Sequence, residues 1–450
     1  MLLSYLKKKI SPNNPLRLMY HQFMAVMAAV YYRFPSKSLN VIGVTGTKGK
    51  TTTTNLISAV LTEAGYKVGM TSTILFQVGD AKWTNLTKQT TLGPFFLQKM
   101  LRRMVDDGCT HAVLEVSSHA IHQNRIWGIN FDTVVLTNIG EDHLEYHGGF
   151  DQYLHTKGLL FARLNRSARK PRIPKVSVLN KDDSHFVYFD QFLVDREYTY
   201  GLGGGTCYGG DIMLTPRGCN FTLHVPNNQI DIELKLPGEF NVYNALAAAT
   251  VALANNINLA VIKSALEKAS AIPGRFETIE CGQKYTIVVD YAHTTDSLDK
   301  LLSLYKKLTK GKLYAVFGAT GGGRDKAKRP KMGKVADKNA DYIIVTDDDP
   351  YEENRWKIIE DVSAGIKRKE GEKFWKIPHR MEAIKLALTL AQEGDTVVVA
   401  GKGSEEIQMI GEQKIPWDDR KVVRELLARE MRVEIKPGKF ETKGNVYMKN

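Results

Sequence analysis

A short glycine-rich turn directly behind an apolar run is the feature that most constrains the fold of this chain. Residues 41–44 are apolar and lead into Gly46-Thr47-Lys48-Gly49-Lys50-Thr51-Thr52. A strand that enters such a turn, with Lys-Thr at the start of the next helix, is typical of loops that hold nucleotide phosphates. Glycine lets backbone N–H groups close on phosphate oxygens, and the helix N-terminus adds positive charge. The sequence therefore predicts an α/β domain with a phosphate loop.

Each residue of this loop has an expected task. Lys50 is expected to reach the β- and γ-phosphates, and the Thr51 hydroxyl to ligate Mg²⁺. Position 44 is valine, so the loop has the short G-x-x-G-K-T form rather than the longer standard pattern. A glycine turn without a ligand is the alternative, but it does not explain Gly-Lys-Thr at this position. The candidate ATP-binding residues are Gly46, Thr47, Lys48, Gly49, Lys50, Thr51 and Thr52.

Length and composition limit the class of protein. A chain of 450 residues is too long for one hydrophobic core and predicts about two or three domains. The four cysteines are far apart and form no C-x-x-C pair, which favours a reducing, cytoplasmic location over a disulfide framework. The net charge of +13 is spread along the chain without a nucleic-acid-binding motif. We therefore expect anionic small-molecule substrates, a generally basic solvated surface, and no nucleic acid. A monomer is expected as well.

One apolar stretch needs a separate interpretation. Residues 19–32 follow Lys7-Lys8-Lys9 but are interrupted by His21 and Gln22. The stretch is shorter than the about 20 residues that span a bilayer, and no signal-peptide cleavage site follows it. A helix packed on the body of the protein is the favoured prediction. Peripheral membrane attachment through its aromatic side chains is the alternative.

The remaining pattern predicts three segments. Residues 1–38 form a short helical N-terminal extension, and residues 39–272 form a central domain. In that domain 112–116 and 133–137 are predicted as buried parallel strands, 199–235 as an antiparallel excursion, and 241–253 and 259–269 as helices. Pro273-Gly274 marks a boundary. A second α/β pattern over 273–450 has predicted strands at 285–289, 313–317, 342–345 and 396–400.

Chemically active side chains follow two of the predicted strands. Glu115 stands at the end of 112–116, and His143 follows 133–137 within Glu141-Asp142-His143. Acidic and imidazole groups at neighbouring strand ends beside a phosphate loop favour a Mg²⁺ site for hydrolysis or phosphoryl transfer. The alternative is a solvated acid at Glu115 and a helix cap at His143.

The chain resembles the Mur ligases, which are ATP-dependent amide-bond-forming enzymes of peptidoglycan synthesis, and within them the MurE type. The resemblance covers residues from about 41 to 427 and follows the family order of motifs. These are VTGTKGKTTTT, LEVSSHAI, LTNIGEDHLEYHG, LPGEFNVYNALAA, IPGRFE, VVDYAHTTDSL, GGRDKAKRPKMG and GKGSEEIQ.

The resemblance implies a central ATP-binding domain with a parallel sheet and a Rossmann-like C-terminal domain that binds an amino acid. A substrate carboxylate would take the γ-phosphoryl group of ATP, and an amine would then attack the acyl phosphate. The implied substrates are UDP-N-acetylmuramoyl-L-alanyl-D-glutamate, called the UDP-muramoyl-dipeptide below, and lysine, ornithine or diaminopimelate. Another ligase of the superfamily, of the folylpolyglutamate or cyanophycin type or acting on a lipid-linked precursor, is the alternative.

The resemblance also implies roles for individual residues. Lys50, Glu115, His143 and Lys157 would be catalytic. Two Mg²⁺ ions would be held by Thr51, Glu115, His143 and Lys157, the last of these in a carbamylated form. ATP contacts beyond the loop would be Asn244, Arg275, Asp290, Tyr291 and His293, with Lys328 at a further basic position. Substrate contacts would be Thr90, Thr91, Ser117, Gln123, Arg125, Arg324, Asp349, Pro350, Tyr351, Gly403 and Glu405.

Two departures from the family pattern bear on the substrates. Relatives that add diaminopimelate carry D-N-P-R, whose arginine can hold a distal carboxylate, whereas this chain has Asp349-Pro350-Tyr351. That change favours lysine or ornithine, unless Arg355 or Arg380 substitutes for the missing arginine. Only 40 residues precede the first strand, where typical members have a uridine-nucleotide domain. We therefore expect either reduced uridine recognition or a muramoyl substrate carried differently, for example on a lipid.

Overall fold

The computed structural model describes residues 14–430, with the exception of Lys88, His143, Ser270, Arg324 and Asp325. Two of the predicted site residues, His143 and Arg324, therefore lie outside the described residues. The chain divides into two compact units at Pro273 and Gly274, which we call the first and the second unit.

The first unit alternates helices and strands. Its helices are α1 (Pro15–Tyr31), α2 (Lys50–Glu63), α3 (Pro94–Asp106), α4 (Ser118–His122), α5 (Leu144–His147), α6 (Phe150–Arg166), α7 (Phe186–Asp190), α8 (Glu239–Ala254) and α9 (Leu259–Lys268). Its strands are β1 (Asn40–Thr45), β2 (Val68–Thr71), β3 (Leu75–Val78), β4 (Ala81–Thr84), β5 (His111–Glu115), β6 (Thr133–Leu136), β7 (Val176–Asn180), β8 (Arg196–Gly201), β9 (Cys207–Thr215), β10 (Gly218–Val225) and β11 (Asn228–Leu234).

All of these strands belong to one sheet, in the order β11-β10-β9-β8-β7-β6-β1-β5-β2-β3-β4. Strand β1 lies between β5 and β6 and is parallel to both, with Val44 opposite Glu115 and Thr45 opposite Leu136. Because the three strands end at the same edge, the glycine loop, Glu115 and the residues after β6 are brought together.

The segment predicted as an antiparallel excursion, 199–235, is antiparallel only in part. Strands β9, β10 and β11 pair antiparallel, whereas β8 pairs parallel with both β7 and β9. The chain crosses over through α7 between β7 and β8, so β8 enters the sheet in the same direction as β7. The excursion is therefore an extension of the central sheet rather than a separate layer.

Helices cover both faces of the parallel strands. One face packs under α2, α8 and α9, where Ile42, Val44 and Val60 are buried in the same cluster. The other packs under α3 and α6, where Val41 and Phe161 are buried. Burial on both faces explains why these strands read as continuous apolar runs in the sequence.

The second unit has its own six-stranded sheet, in the order β12-β13-β17-β14-β15-β16. The strands of this sheet are β12 (Glu277–Thr278), β13 (Thr286–Asp290), β14 (Leu313–Phe317), β15 (Tyr342–Val345), β16 (Phe374–Lys376) and β17 (Thr396–Ala400). A separate hairpin consists of β18 (Ile407–Ile410) and β19 (Gln413–Pro416). Its helices are α10 (Thr295–Leu308), α11 (Lys328–Asn339), α12 (Arg355–Ser363), α13 (Arg380–Leu390) and α14 (Asp419–Glu430). The predicted fold class, a parallel-rich central domain followed by a second α/β domain, is confirmed.

The predicted N-terminal helix is α1, and it packs against the rest of the first unit. Ala25, Ala28 and Ala29 are fully buried, and the Arg102 guanidinium of α3 donates to the Tyr32 carbonyl at 2.9 Å. Among the helices that the structure describes, none combines the length and the apolar content needed to cross a bilayer.

A buried ion cluster ties the start of β1 to β6, and its loss should destabilise the first unit. The Asp132 carboxylate accepts from the Val41 N–H at 2.9 Å and contacts the ammonium groups of Lys170 and Lys175. We expect Asp132→Ala to lower the free energy of unfolding by about 3–5 kcal/mol, because it leaves two buried cations uncompensated. Urea-dependent hydrogen exchange of the β1 and β6 amides measures this quantity for the first unit alone.

The matched control is Asp107→Ala. Its partner Lys67 lies at 3.1 Å, but both side chains are 45% exposed, so the expected loss is within about 1 kcal/mol. Equal losses in the two variants would contradict the assignment.

Candidate active site

The phosphate loop between β1 and α2 depends on glycine at two positions. Gly46 and Gly49 have φ values of 146° and 80°, in the region that favours glycine. A Cβ on Gly46 would lie 1.9 Å from Thr137 Oγ1, and one on Gly49 would lie 2.4 Å from Asn244 Oδ1. Both backbone conformation and space therefore exclude larger residues.

The loop is held in shape by the segment after β6. The Thr47 N–H donates to the Asn138 carbonyl at 2.7 Å, and the Lys48 N–H donates to Asn138 Oδ1 at 3.0 Å. Thr137 Oγ1 donates to the Lys48 carbonyl at 2.6 Å. These contacts fix the loop before any ligand binds, which lowers the entropic cost of binding.

The start of α2 carries the anion-binding features of the loop. No side chain among the described residues caps this helix end, so its first-turn N–H groups point into the loop. Lys50 Nζ donates to the carbonyls of Gly46 at 2.9 Å and Thr47 at 2.7 Å, which places the ammonium group above the same turn. The helix N-terminus and the Lys50 ammonium group therefore concentrate positive charge at the phosphate loop.

A buried carboxylate lies beside the first turn of α2. Glu115, at the end of β5, is only 2% exposed. Thr51 Oγ1 donates to its oxygens at 2.9 and 3.0 Å, and Thr73 donates through its N–H at 2.7 Å and through its hydroxyl at 3.0 Å. Thr73 is a site residue that sequence reasoning missed. Its position two residues after β2 was the available signal, but only the pairing of β2 with β5 makes it informative.

Lys157 of α6 is the most unusual ionisable group of the site. Its ammonium nitrogen donates to the Gly46 carbonyl at 2.8 Å and lies 4.8 Å from the centre of the Tyr153 ring. Burial, reinforced by the nearby Lys50 cation, holds the pKa of Lys157 well below its usual value, although Asp142 partly opposes the shift. Composition alone favours a surface lysine here, and the structure buries it completely.

A cavity of about 290 Å³ opens between the loop and the strand ends. It brings together residues predicted to bind phosphate, metal and the muramoyl substrate. Its lining consists of Gly46, Lys50, Gln89, Thr90, Thr91, Ser117, Ser118, His119, Arg125, Asp142, Tyr153 and Lys157.

Hydrogen bonds connect the predicted substrate contacts at this cavity. Thr91 Oγ1 donates to the Glu115 carbonyl at 2.9 Å and receives the Ser117 N–H at 2.9 Å. Arg125 donates to the Thr91 carbonyl at 3.0 Å and to Gln123 Oε1 at 2.6 Å. Gln123 thus orients the guanidinium group that lines the cavity.

In the second unit, the predicted nucleotide contacts gather at the end of β13. The Arg275 guanidinium lies 5.1 Å from the centre of the Tyr291 ring, and the rings of Tyr291 and His293 are 4.5 Å apart. Asp290 is buried below them and accepts the N–H groups of Phe276 and Ala292 at 2.8 Å. Burial raises the pKa of Asp290, while Arg275 opposes the shift. Asp290 therefore holds the backbone at Phe276 and Ala292 in place beside this surface.

The predicted amino-acid contacts of the second unit form a buried charge network. Lys402 Nζ donates to Asp349 Oδ1 at 2.7 Å and to Glu405 Oε2 at 2.9 Å. Burial alone would lower the pKa of Lys402, but the surrounding carboxylates outweigh it and raise the pKa. Gly403 has φ 54°, and a Cβ there would meet Tyr291 Cβ at 2.7 Å.

The comparisons with known proteins agree with this geometry. The model of the Mur ligase middle domain matches residues 44–252, and that of the Mur ligase, glutamate ligase domain matches residues 274–403. This chain belongs to the Mur ligase family. A UDP-N-acetylmuramoyl-L-alanyl-D-glutamate--2,6-diaminopimelate ligase of Geobacillus thermodenitrificans is 43% identical over 402 residues, covering 89% of this chain and 81% of the relative.

Two further similarities point to the MurE type within this family. A UDP-N-acetylmuramyl-tripeptide synthetase of Roseiflexus is 40% identical over 416 residues, covering 90% of this chain and 82% of the relative. A solved UDP-N-acetylmuramoyl-L-alanyl-D-glutamate--2,6-diaminopimelate ligase superposes with a TM-score of 0.68 at 34% identity, over 87% of this chain and 79% of that one. The predicted enzyme class, an ATP-dependent amide ligase, is confirmed.

Mur ligases use ATP and Mg²⁺, and the residues present fit the metal. The Thr51 hydroxyl and the Glu115 carboxylate are hard oxygen donors 2.9 Å apart beside the phosphate loop. In this ligase, Thr73 donates to the same carboxylate through its N–H and its hydroxyl and so helps to set its orientation.

Thr73→Val tests this positioning role. We expect the rate of ATP-dependent phosphate release to fall about 10- to 100-fold, with a raised Mg²⁺ requirement, because Glu115 loses the hydrogen bond from the Thr73 hydroxyl and keeps from Thr73 only that of the N–H. A magnesium titration at saturating substrates measures both quantities. Thr62→Val, which removes a hydroxyl bonded to the Ser58 carbonyl farther along α2, is the control and should retain normal activity. An unchanged magnesium requirement in Thr73→Val would exclude the role.

Proposed function

We propose that this Mur ligase adds a diamino acid to the D-glutamyl carboxylate of the UDP-muramoyl-dipeptide. The observation that supports this most directly is the cavity of about 290 Å³, whose lining includes both Lys50 of the phosphate loop and Arg125. A cation placed by the loop and a guanidinium among hydroxyl groups suit a triphosphate and an anionic peptide side by side. The names of the relatives describe this substrate for those proteins.

The reaction has two steps, and each of them forms one bond and breaks another. A substrate carboxylate oxygen attacks the γ-phosphorus of ATP, the bond to the ADP oxygen breaks, and an acyl phosphate forms. The neutral amine of the amino acid then attacks the carbonyl carbon, inorganic phosphate leaves, and the amine nitrogen loses a proton. Both steps build negative charge on oxygen, so nearby cations stabilise the transition states.

Different residues of the first unit bind the phosphates, the metal and the substrate carboxylate. Lys50 and the first-turn N–H groups of α2 hold the phosphates. Thr51 and Glu115 would hold Mg²⁺, which neutralises charge on the transferred phosphoryl group. Arg125, oriented by Gln123, binds the substrate carboxylate within reach of the loop.

Lys157 is proposed to carry a carbamate. Burial and the Lys50 cation lower its pKa, so the amine is neutral at a lower pH than that of an exposed lysine. The neutral nitrogen forms a bond to the carbon of CO₂, one C=O π bond opens to an oxyanion, and a proton is released to solvent. The carbamate places a negative charge beside the Lys50 cation, so the two groups attract each other.

The identity of the amino acid is proposed from the second unit. Tyr351 borders a cavity of about 690 Å³ together with Lys326, Glu352 and Glu412. Asp349, the residue expected to meet a distal cation, is already neutralised by Lys402. The exposed carboxylates of Glu352 and Glu412 are therefore better placed to favour a cationic distal group.

The described arginines of this region are engaged elsewhere. Arg380 is buried against Asp419 at 2.7 Å, Arg355 pairs with Asp347, and Arg329 pairs with Glu353 at 2.8 Å. Neither Arg355 nor Arg380 therefore substitutes for the family arginine at position 351. Lysine or ornithine is accordingly proposed over diaminopimelate.

We also propose a cytoplasmic location. All four cysteines are free thiols, and Cys109, Cys207 and Cys219 are buried. Unpaired buried thiols of this kind are typical of proteins kept in a reducing compartment.

The carbamate is tested with Lys157→Ala. We expect at least a 100-fold loss of activity and partial rescue by formate or acetate, which can supply the missing anion. In the wild type, isotope-labelled bicarbonate should give a carbamate resonance whose intensity rises with pH, since only the neutral amine reacts. Lys50→Ala should be inactive without rescue, and Lys99→Ala, an exposed lysine of α3, should behave as the wild type. Normal activity of Lys157→Ala would remove the carbamate from the mechanism.

The amino acid is tested by phosphate release with ATP, Mg²⁺ and UDP-muramoyl-dipeptide while lysine, ornithine and meso-diaminopimelate are varied. We expect kcat/KM for lysine or ornithine to exceed that for diaminopimelate by at least about tenfold, the value of one good charge contact. Tyr351→Arg should shift the ratio towards diaminopimelate, whereas Trp356→Arg, which adds the same charge on α12, should leave it unchanged. A preference of the wild type for diaminopimelate would refute the proposal. Turnover only with a lipid-linked dipeptide would reassign the muramoyl substrate.

A further inference from the structure

Helix α1 presents an apolar stripe to solvent along its whole length. The stripe consists of Leu16, Met19, Phe23, Met27, Val30 and Tyr31, which recur at helical spacing on one side. Leu16 is 74% exposed, Phe23 60% and Tyr31 71%. At the start of α3, Phe95 extends the stripe, with its ring 6.4 Å from that of Tyr31.

The opposite side of α1 is packed against the rest of the first unit. Ala25, Ala28 and Ala29 are buried against the first unit, and Ala29 Cβ lies 2.7 Å from where a Cβ on Gly128 would sit. Gln22 accepts a hydrogen bond from Asn124 at 2.9 Å and so belongs to the packed side. A helix that is apolar on both sides is normally covered on both sides. In the described part of the chain, nothing covers the stripe.

The charged residues in the first 62 positions of the sequence have one sign. Residues 1–62 contain no aspartate or glutamate, whereas Lys7-Lys8-Lys9, Arg17, Arg33 and Lys37 lie within them. Arg33 and Lys37 are exposed directly after the end of α1, and Lys99 is exposed on α3, which packs beside it. An apolar stripe next to exposed basic residues complements a surface that is apolar inside and anionic outside.

We propose that α1 docks this protein on an anionic lipid bilayer, lying in the plane of the membrane surface. The helix has 17 residues and is about 25 Å long, less than the roughly 30 Å of the hydrocarbon core, so it lies on the membrane rather than across it. Methionine, leucine and aromatic side chains enter the interface, while the basic residues meet the lipid phosphates. The docking depends on neither the amino acid nor the muramoyl substrate proposed above.

Vesicle co-sedimentation of the full chain tests the docking. We expect partitioning to vesicles of phosphatidylglycerol and phosphatidylcholine to exceed partitioning to pure phosphatidylcholine by at least about tenfold, and to fall at high salt. Phe23→Asp should reduce binding to the anionic vesicles by at least about tenfold, because it places a charge in the apolar stripe. Leu193→Asp makes the same kind of change at a residue that is 79% exposed elsewhere on the first unit, and it should bind as the wild type.

Phosphate release with soluble substrates should be the same in both variants, which shows that each is folded. Three results would overturn the proposal: no binding to anionic vesicles, equal binding by the wild type and Phe23→Asp, or equal binding to charged and neutral vesicles. A dimer in light scattering that Phe23→Asp dissociates, in the absence of vesicle binding, would instead assign the stripe to a second copy of the chain.

Discussion

The parallel register of β1 with β5 and β6 is the constraint on which the active site depends. Because Val44 lies opposite Glu115 and Thr45 opposite Leu136, three strands end at one edge of the sheet. A phosphate loop, a buried carboxylate and the segment that supports the loop are thereby placed within hydrogen-bonding distance. A shift of register by one residue would turn Glu115 to the other face and separate it from Thr51.

Electrostatics then determine the character of the site. Two lysines from different helices, Lys50 and Lys157, both donate to the Gly46 carbonyl, so two cationic groups converge on one turn of backbone. Convergent cationic groups favour anionic ligands, and burial together with the Lys50 cation lowers the pKa of Lys157. The same concentration of positive charge that suits a triphosphate thus adds to the effect of burial on the pKa of Lys157.

In the second unit, by contrast, the buried cations are paired with carboxylates. Lys402 and Arg380 are buried, but each is matched by carboxylates, and these pairs hold the ends of β15 and β17 in place. Buried pairs of this kind contribute to specificity of structure more than to affinity for a ligand. The residues that line the cavity of the second unit include Tyr351 and Glu412 instead.

The sequence by itself determined the phosphate loop, the buried strands and the succession of two α/β patterns, because glycine turns and apolar runs are local signals. It also carried the family resemblance that the comparisons confirm. Only the tertiary structure decided which side chains meet. Thr73 reaches Glu115 because β2 pairs with β5, Lys157 is buried because α6 packs on the loop, and Asp349 is neutralised by a lysine 53 residues away. Such contacts depend on strand order and burial, which the linear order of residues does not contain.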